Sequence, residues 1–130
     1  MAKRTVKSVK ASCDRLWAKL VKARAGYKCE RCGAEPEDQR GFHSHHIYGR
    51  SNHRLRFEPR NGLAFCYPCH LWAETHPLDF SEWMHEYAPE DVAYLSFENA
   101  LGLISRDLYD YLDLEAELTF LLSNTGSLGD

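Results

Sequence analysis

Four of the five cysteines fall in two C-x-x-C pairs, a spacing typical of metal-binding turns. The pairs are Cys29 with Cys32 and Cys66 with Cys69, whereas Cys13 stands alone. Each pair presents two sulfurs on one side of a tight turn, and two pairs together offer the tetrahedral coordination that suits Zn²⁺. A redox dithiol or a set of unrelated buried thiols is the alternative. The pattern predicts one structural zinc ion with no open coordination position, so any chemistry needs other ligands.

The remaining residues with catalytic potential are the adjacent pair His45 and His46, then Asn61, then His70 directly after Cys69. Hydrolysis of a phosphodiester needs a base that activates water and a divalent ion that stabilises charge on the phosphorane and the leaving O3′. It also needs a group that orients the base. Because adjacent strand residues point to opposite faces, one histidine of the pair can bind metal while its neighbour points elsewhere.

These residues resemble the signature of the HNH endonuclease family. The matching segments are HHI at residues 45–47 and NGLAFCYPCH at residues 61–70, and the resemblance covers about residues 29–70 and the helix that follows. It implies an α+β fold whose centre is a ββα-metal HNH core with a four-cysteine structural zinc. One helix would precede this core, and a small helical part would follow it.

The resemblance also implies a role for each residue. His46 would be the general base, and His45 and His70 would bind the catalytic divalent ion. Asn61 would bond the backbone of a loop and so hold the strand that carries His46. Related colicin-like proteins have a further histidine four residues after the helix histidine, and Glu74 occupies that place here. Glu74 is therefore either a third ligand of the catalytic ion or a solvated helix carboxylate. His43 is a candidate partner for these ligands.

A cluster of arginines lies between the histidine pair and Asn61. The segment over residues 48–62 resembles the phage recombination endonucleases of the lambda NinG type. Four arginines within eleven residues beside His46 favour contacts with DNA phosphates, and an exposed basic loop without a task is the alternative. These candidate DNA-binding residues are Arg50, Arg54, Arg56 and Arg60.

The net charge of −3 conceals a division along the chain. Residues 1–60 hold 15 of the 16 Lys and Arg residues against 6 acidic residues, whereas residues 61–130 hold one arginine against 13 acidic residues. This division indicates either a basic face for a polyanion or two oppositely charged surfaces that pair internally. The sequence has no apolar run long enough for a membrane span and no secretory signal, so we expect a cytoplasmic protein, in the host cytoplasm if phage-encoded.

A length of 130 residues suits one domain. Its expected parts are a basic N-terminal helix over 1–26, a zinc and ββα-metal core over 27–76, an acidic helical extension over 77–122 and a tail over 123–130. Hydrophobic periodicity and turn residues predict a first helix over about 8–25, strands over about 42–48 and 53–57, a helix over about 68–74 and a last helix over about 105–122. The tail is expected to be disordered.

The expected function is a metal-dependent DNA endonuclease, with Mg²⁺, Mn²⁺ or another divalent ion at the catalytic site. It would nick DNA or cut both strands in phage DNA processing, recombination or packaging, as a monomer or weak dimer. The acidic C-terminal helices would repel DNA and are a candidate surface for a phage packaging or recombination protein. The alternative is a non-catalytic zinc-containing module that binds nucleic acid or docks on a protein.

Overall fold

The computed structural model describes residues 3–128 of the chain. These residues form an α+β fold with five α-helices and one antiparallel two-stranded sheet. In chain order the elements are α1 (Val6–Arg24), β1 (Phe42–His46), β2 (Gly62–Cys66), α2 (Tyr67–Thr75), α3 (Pro77–Tyr87), α4 (Pro89–Ala100) and α5 (Leu108–Leu128). A short 3₁₀ turn precedes each strand, over Gln39–Gly41 and Pro59–Asn61.

The start of α1 is fixed by a capping box. The side chain of Thr5 accepts a hydrogen bond from the backbone N–H of Ser8, and the side chain of Ser8 accepts one from the backbone N–H of Thr5. This reciprocal pair satisfies N–H groups that the helix itself leaves free. The helix ends before Gly26, whose φ of 67° is in the left-handed region that glycine adopts without steric cost.

The sheet separates two hydrophobic clusters. Every residue of β2 is buried, because Ala64 faces a cluster built by α1 and α5, while Leu63 and Phe65 face a cluster built by α2 and α3. In the strand register, Ser44 pairs with Ala64 and His45 pairs with Leu63. The alternation of β1 therefore directs successive side chains to different clusters.

Gly62 allows α1 to pack tightly on the start of β2. A Cβ atom at this position would clash with Cγ2 of Val21 and would lie 2.7 Å from Cζ2 of Trp17. Both are buried core side chains that cannot move away easily. The missing side chain of Gly62 therefore makes room for the Trp17 ring, which is anchored by a hydrogen bond from its Nε1 to the carbonyl oxygen of Glu58 at 2.8 Å.

The helix α5 completes the first cluster by packing along α1. Tyr111 and Leu118 are 5% and 1% exposed, and both belong to the same cluster as Cys13 and Trp17. With 21 residues α5 is the longest helix. Neither α5 nor any other helix within residues 3–128 combines the length and apolar character that crossing a membrane requires.

Three predicted elements differ from the structure. The segment over residues 53–57 is a series of turns instead of a strand, and the second strand is Gly62–Cys66. The last helix runs over Leu108–Leu128 instead of about 105–122. Residues 123–128 of the predicted disordered tail are thus helical, and residues 129–130 lie outside the described part. The strand was misassigned because Leu55 and Phe57 are buried at alternating positions within turns, and period-2 burial alone does not distinguish the two.

The packing of α5 on α1 leads to a stability prediction. Replacing Leu118 with alanine leaves a cavity between the two helices, and we expect unfolding to become easier by about 2–5 kcal/mol. Chemical denaturation followed by circular dichroism measures this change. Leu103→Ala is the matched control, since Leu103 is 94% exposed and should change stability by less than about 0.5 kcal/mol. Equal stability of the two variants would contradict the packing of α5 as part of the core.

Candidate metal centres

The four paired cysteines converge on one point. Their Sγ atoms all lie within 4.8 Å of one another. Cys29 and Cys32 lie in a turn in which the N–H of Gly33 donates to the carbonyl oxygen of Cys29 at 2.8 Å. Gly33 has a φ of 79°, a conformation that reverses the chain after the second thiol. Cys66 ends β2 and Cys69 lies in the first turn of α2, so a strand end and a helix start supply the other pair.

The sulfur distances fit a zinc ion. Tetrahedral coordination with Zn–S bonds of about 2.3 Å places the sulfurs roughly 3.8 Å apart. The Sγ atoms of Cys32 and Cys66 are 3.6 Å apart, and all four cysteines are free of disulfide bonds. The donor set consists only of thiols, which is the chemistry of a structural zinc site. These four cysteines could therefore hold one zinc ion, and they leave no ligand position for a substrate.

The environment of the thiols is uneven. Burial favours a higher pKa for Cys29, but hydrogen bonds from the backbone N–H groups of Cys32, Cys66 and Arg31 outweigh it and lower the pKa to about 7. Burial raises the pKa of Cys69 to about 12, although the Arg31 guanidinium donates to its Sγ at 3.5 Å. Metal binding must therefore remove a proton that Cys69 holds tightly, whereas Cys29 gives up its proton near neutral pH.

A second cluster lies on the α2 side of the sheet. Ligand atoms of His45, His70 and Glu74 lie within 4.8 Å of one another and could hold a metal ion. The Nδ1 atoms of His45 and His70 are 3.1 Å apart, and Nε2 of His70 is 3.0 Å from a carboxylate oxygen of Glu74. Burial, and then the charges of the nearby His70 and His46, lower the pKa of His45 to about 4. His45 is consequently neutral at physiological pH and able to bind metal through a lone pair.

His43 joins this cluster from the same face of β1. Its ring stacks on that of His70, with centroids 4.7 Å apart and planes 4° from parallel. Its Nε2 atom is buried and has no hydrogen-bond partner within the described residues. Burial, and then the charges of His70 and Lys22, lower its pKa. The spacing of two residues between His43 and His45 was a usable signal, because strand residues i and i+2 share a face.

His46 lies on the opposite face of β1 from His45. Its ring stacks on Trp17 at a centroid distance of 3.8 Å, and Nε2 lies 3.0 Å from the carbonyl oxygen of Arg56. A carbonyl oxygen only accepts, so Nε2 carries the proton and Nδ1 is the basic nitrogen. Burial lowers the pKa of His46, against the opposing effect of the Arg56 carbonyl. The sequence indicated neither Trp17 nor the Arg56 carbonyl as a partner of His46.

Asn61 fastens the loop that carries the Arg56 carbonyl. It is fully buried, and its Oδ1 accepts a hydrogen bond from the Tyr48 N–H at 2.7 Å. Its Nδ2 donates to the carbonyl oxygens of Tyr48 and Leu55 at 2.9 and 3.0 Å. One side chain therefore closes the two ends of the segment between β1 and β2.

Two of the candidate DNA-binding arginines are held by one carboxylate. Arg56 donates to both oxygens of Asp14, at 3.0 and 2.8 Å, and is mostly buried. Arg50 donates to the same carboxylate at 3.2 Å, although its side chain is 62% exposed. Arg56 is thus turned inward onto α1, and Arg50 is only partly free to meet a ligand.

The other two arginines pair with α4. Arg54 lies 3.8 Å from a carboxylate oxygen of Glu98, and Arg60 donates to Asp91 at 2.6 Å. The Arg60 guanidinium also lies 4.1 Å from the ring centroid of Tyr94. All four arginines therefore have acidic partners within the described residues, and their predicted contacts with DNA phosphates stay a prediction.

The predicted metal-binding and catalytic residues fall into three groups. The four cysteines form one cluster, and His45, His70 and Glu74 form another. His46 and Asn61 belong to neither and act on the loop between the strands. No family model, no curated protein and no solved structure matches this chain.

The four-cysteine cluster predicts one tightly bound zinc ion per chain. Cys29→Ser removes one thiolate and should abolish zinc binding and cooperative folding, and chelators should have the same effect on the parent protein. Elemental analysis and thermal melting measure the two effects. The lone Cys13 offers the matched control, since Cys13→Ala should retain one zinc ion. A zinc-free parent protein, or a stable Cys29→Ser variant, would contradict the prediction.

Asn61 leads to a second prediction at this site. Asn61→Ala leaves the part-buried N–H and carbonyl of Tyr48 without this partner and removes one of the two hydrogen bonds of the Leu55 carbonyl, so we expect a loss of about 2–4 kcal/mol in the free energy of unfolding. Hydrogen exchange should show faster exchange at Tyr48 while zinc remains bound. Asn99→Ala is the control, because Asn99 is exposed and its side chain bonds only the Asn52 side chain among the contacts described. A change no larger than that of the control would refute this role of Asn61.

Proposed function

We propose that the protein is a metal-dependent DNA endonuclease of the HNH type. The observation that carries the proposal is the convergence of His45, His70 and Glu74 beside the four-cysteine cluster. Two imidazoles and a carboxylate are suitable ligands for a divalent ion, and this site is separate from the four-cysteine cluster. The resemblance at residues 45–47 and 61–70 supports the same reading, since it assigns metal binding to two of these three side chains.

A bound divalent ion such as Mg²⁺ or Mn²⁺ would stabilise the negative charge that develops on the phosphate and on the leaving O3′. In this proposal His45, His70 and Glu74 hold that ion. Stacking against His43 restrains the plane of the His70 ring and so its direction of binding. The fit of Glu74 is supported by its 3.0 Å distance to Nε2 of His70 and by its partial exposure, which leaves room for a ligand.

His46 is the proposed general base. Its Nδ1 would accept a proton from water as the water oxygen attacks phosphorus, and the bond from phosphorus to O3′ would break. The leaving O3′ would take a proton from solvent water and His46 would release its proton to solvent, so the products are a 5′-phosphate and a 3′-hydroxyl. Because His46 and the His45 cluster lie on opposite faces of β1, the phosphodiester would have to lie across the end of this strand. Trp17 and the Arg56 carbonyl fix the orientation of the imidazole.

A non-catalytic zinc-containing module that binds nucleic acid or docks on a protein is the second candidate. The observation that favours it is a group of exposed apolar side chains at the end of α4 and the start of α5. Leu103 is 94% exposed, and Tyr109, Phe97 and Leu101 are 75%, 65% and 54% exposed. Such exposure is typical of surfaces that contact other macromolecules. This candidate requires no cleavage with any divalent ion, which separates it from the first.

The proposal predicts cleavage of DNA that depends on Mg²⁺ or Mn²⁺, measured on supercoiled, linear, single-stranded and four-way-junction substrates. His46→Ala should lower the rate about 10²- to 10⁴-fold while zinc stays bound, because only the base is removed. His70→Ala should also lose activity, and excess divalent ion should restore part of it. His85→Ala is the matched control, since His85 is exposed and contacts Ser81 on its own helix.

One result would contradict the whole proposal, and another would contradict only the role of His46. A parent protein that cuts no substrate with any divalent ion would exclude the endonuclease and favour the second candidate. Full activity of His46→Ala, with activity lost in His70→Ala, would retain the endonuclease and remove the base assignment.

A further inference from the structure

Three cations lie along one face of α1 at positions i, i+4 and i+7, the first two exposed and the third half-buried. They are Arg15, Lys19 and Lys22, which we call the α1 stripe. This spacing puts them on one face of a helix, away from the buried Cys13 and Leu20. At 1.5 Å per residue the stripe is about 10 Å long, which is the axial length of about three base pairs.

The α1 stripe differs in its partners from the segment that carries Arg50, Arg54, Arg56 and Arg60, which we call the arginine loop. None of its three cations forms an ion pair with an acidic residue in the part of the chain that the structure describes. Asp14 is the only acidic residue of α1, and Arg50 and Arg56 occupy its carboxylate. The other neighbouring carboxylate, that of Glu115, receives two hydrogen bonds from Arg4 at 2.7 Å each.

One end of the stripe lies close to the strand that carries His43 and His45. Nζ of Lys22 lies 5.4 Å from the centroid of the Phe42 ring, at the start of β1. The next residue, His43, stacks on His70. The stripe therefore ends beside β1 on the α1 side of the sheet, and the cluster of His45, His70 and Glu74 lies on the other side of that strand.

We propose that the α1 stripe binds the sugar-phosphate backbone of duplex DNA and directs it towards the cluster of His45, His70 and Glu74. The chemistry that recognises the partner is a row of cations free of internal ion pairs, which matches a row of phosphates. The direction towards the cluster rests on the proposed function, whereas binding of DNA by the stripe does not. The arginine loop, in contrast, holds the protein together through Asp14, Glu98 and Asp91.

The test uses the zinc-loaded full chain and a 30-base-pair duplex without added Mg²⁺ or Mn²⁺, so that binding is measured without cleavage. The double variant Arg15→Gln/Lys19→Gln should bind about tenfold more weakly. The slope of log K against log salt should fall by about two units, because each lost phosphate contact contributes about 0.9. Both side chains are exposed, so the fold should be kept, and zinc content and melting temperature check this. The single variant Lys19→Gln should lower the slope by about one unit.

Two further double variants remove the same charge elsewhere. Lys28→Gln/Arg40→Gln is the control, since these residues are exposed and pair with Glu35 and Asp38. Arg50→Gln/Arg54→Gln tests the loop. Both should change the affinity for DNA less than about threefold. A loop variant that loses more affinity and more salt dependence than the stripe variant would overturn the proposal, as would a parent protein that does not bind duplex DNA.

Cleavage of the same duplex with Mg²⁺ or Mn²⁺ separates this proposal from the endonuclease itself. A parent protein that binds through the stripe but never cuts supports the stripe and removes the endonuclease. A stripe variant that binds and cuts like the parent protein overturns the stripe and leaves the endonuclease standing.

Discussion

The convergence of four thiols from two distant turns is the constraint on which the rest of the structure depends. The two C-x-x-C pairs are separated by 33 residues, whose regular structure is limited to two five-residue strands and two short 3₁₀ turns. A two-stranded sheet is only marginally stable alone. The turn that carries Cys29 and Cys32 is also tied to β2, because Glu30 exchanges hydrogen bonds with Ala64 through its backbone N–H and its carboxylate. A metal held by the four sulfurs would fix both ends of this segment, and His70 would be placed directly behind one of its ligands.

Successive side chains of β1 point to opposite faces of the sheet, and the two faces are different environments. Phe42, Ser44 and His46 face α1, where the hydroxyl of Ser44 donates to the carbonyl oxygen of Ala18 and His46 meets Trp17. His43 and His45 face α2, where they meet His70. A slip of one residue in the strand register would exchange these sets. Gly62 opposes this slip, since only a glycine leaves space for the Trp17 ring at that point.

Local sequence signals predicted part of the site and missed the rest for physical reasons. C-x-x-C spacing is a property of one turn, and the interval from His70 to Glu74 is one turn of helix, so both groups could be found from the sequence. The stacking of Trp17 on His46 and the pairing of Arg56 with Asp14 join residues 29 and 42 positions apart. Such contacts depend on how α1 lies against the sheet, which no local pattern encodes. The turns over residues 53–57 were predicted as a strand for the same reason. Their alternating apolar residues are buried by tertiary packing and do not indicate a strand.

The basic residues of the N-terminal half have two separate roles in the structure and in the proposal. Some form internal ion pairs, and others are available to bind a polyanion. Three ion pairs join the basic half to the acidic half, namely Arg4 with Glu115, Arg54 with Glu98 and Arg60 with Asp91. Internal ion pairs therefore account for part of the basic charge. The cations of the α1 stripe are not part of these pairs.

Arg56 makes the distinction between these roles concrete. Its guanidinium holds Asp14, while its carbonyl oxygen accepts the hydrogen bond from His46. A phosphate that drew this guanidinium away would leave Asp14 in a mostly buried place with a weaker partner, and it would disturb the backbone that orients His46. Binding by the loop would thus compete with positioning by the loop. Cations on the outer face of a helix can bind a polyanion without that conflict, because no internal ion pair has to break. Separating the two tasks between the loop and α1 allows a nucleic acid to be bound while the geometry around His46 is kept.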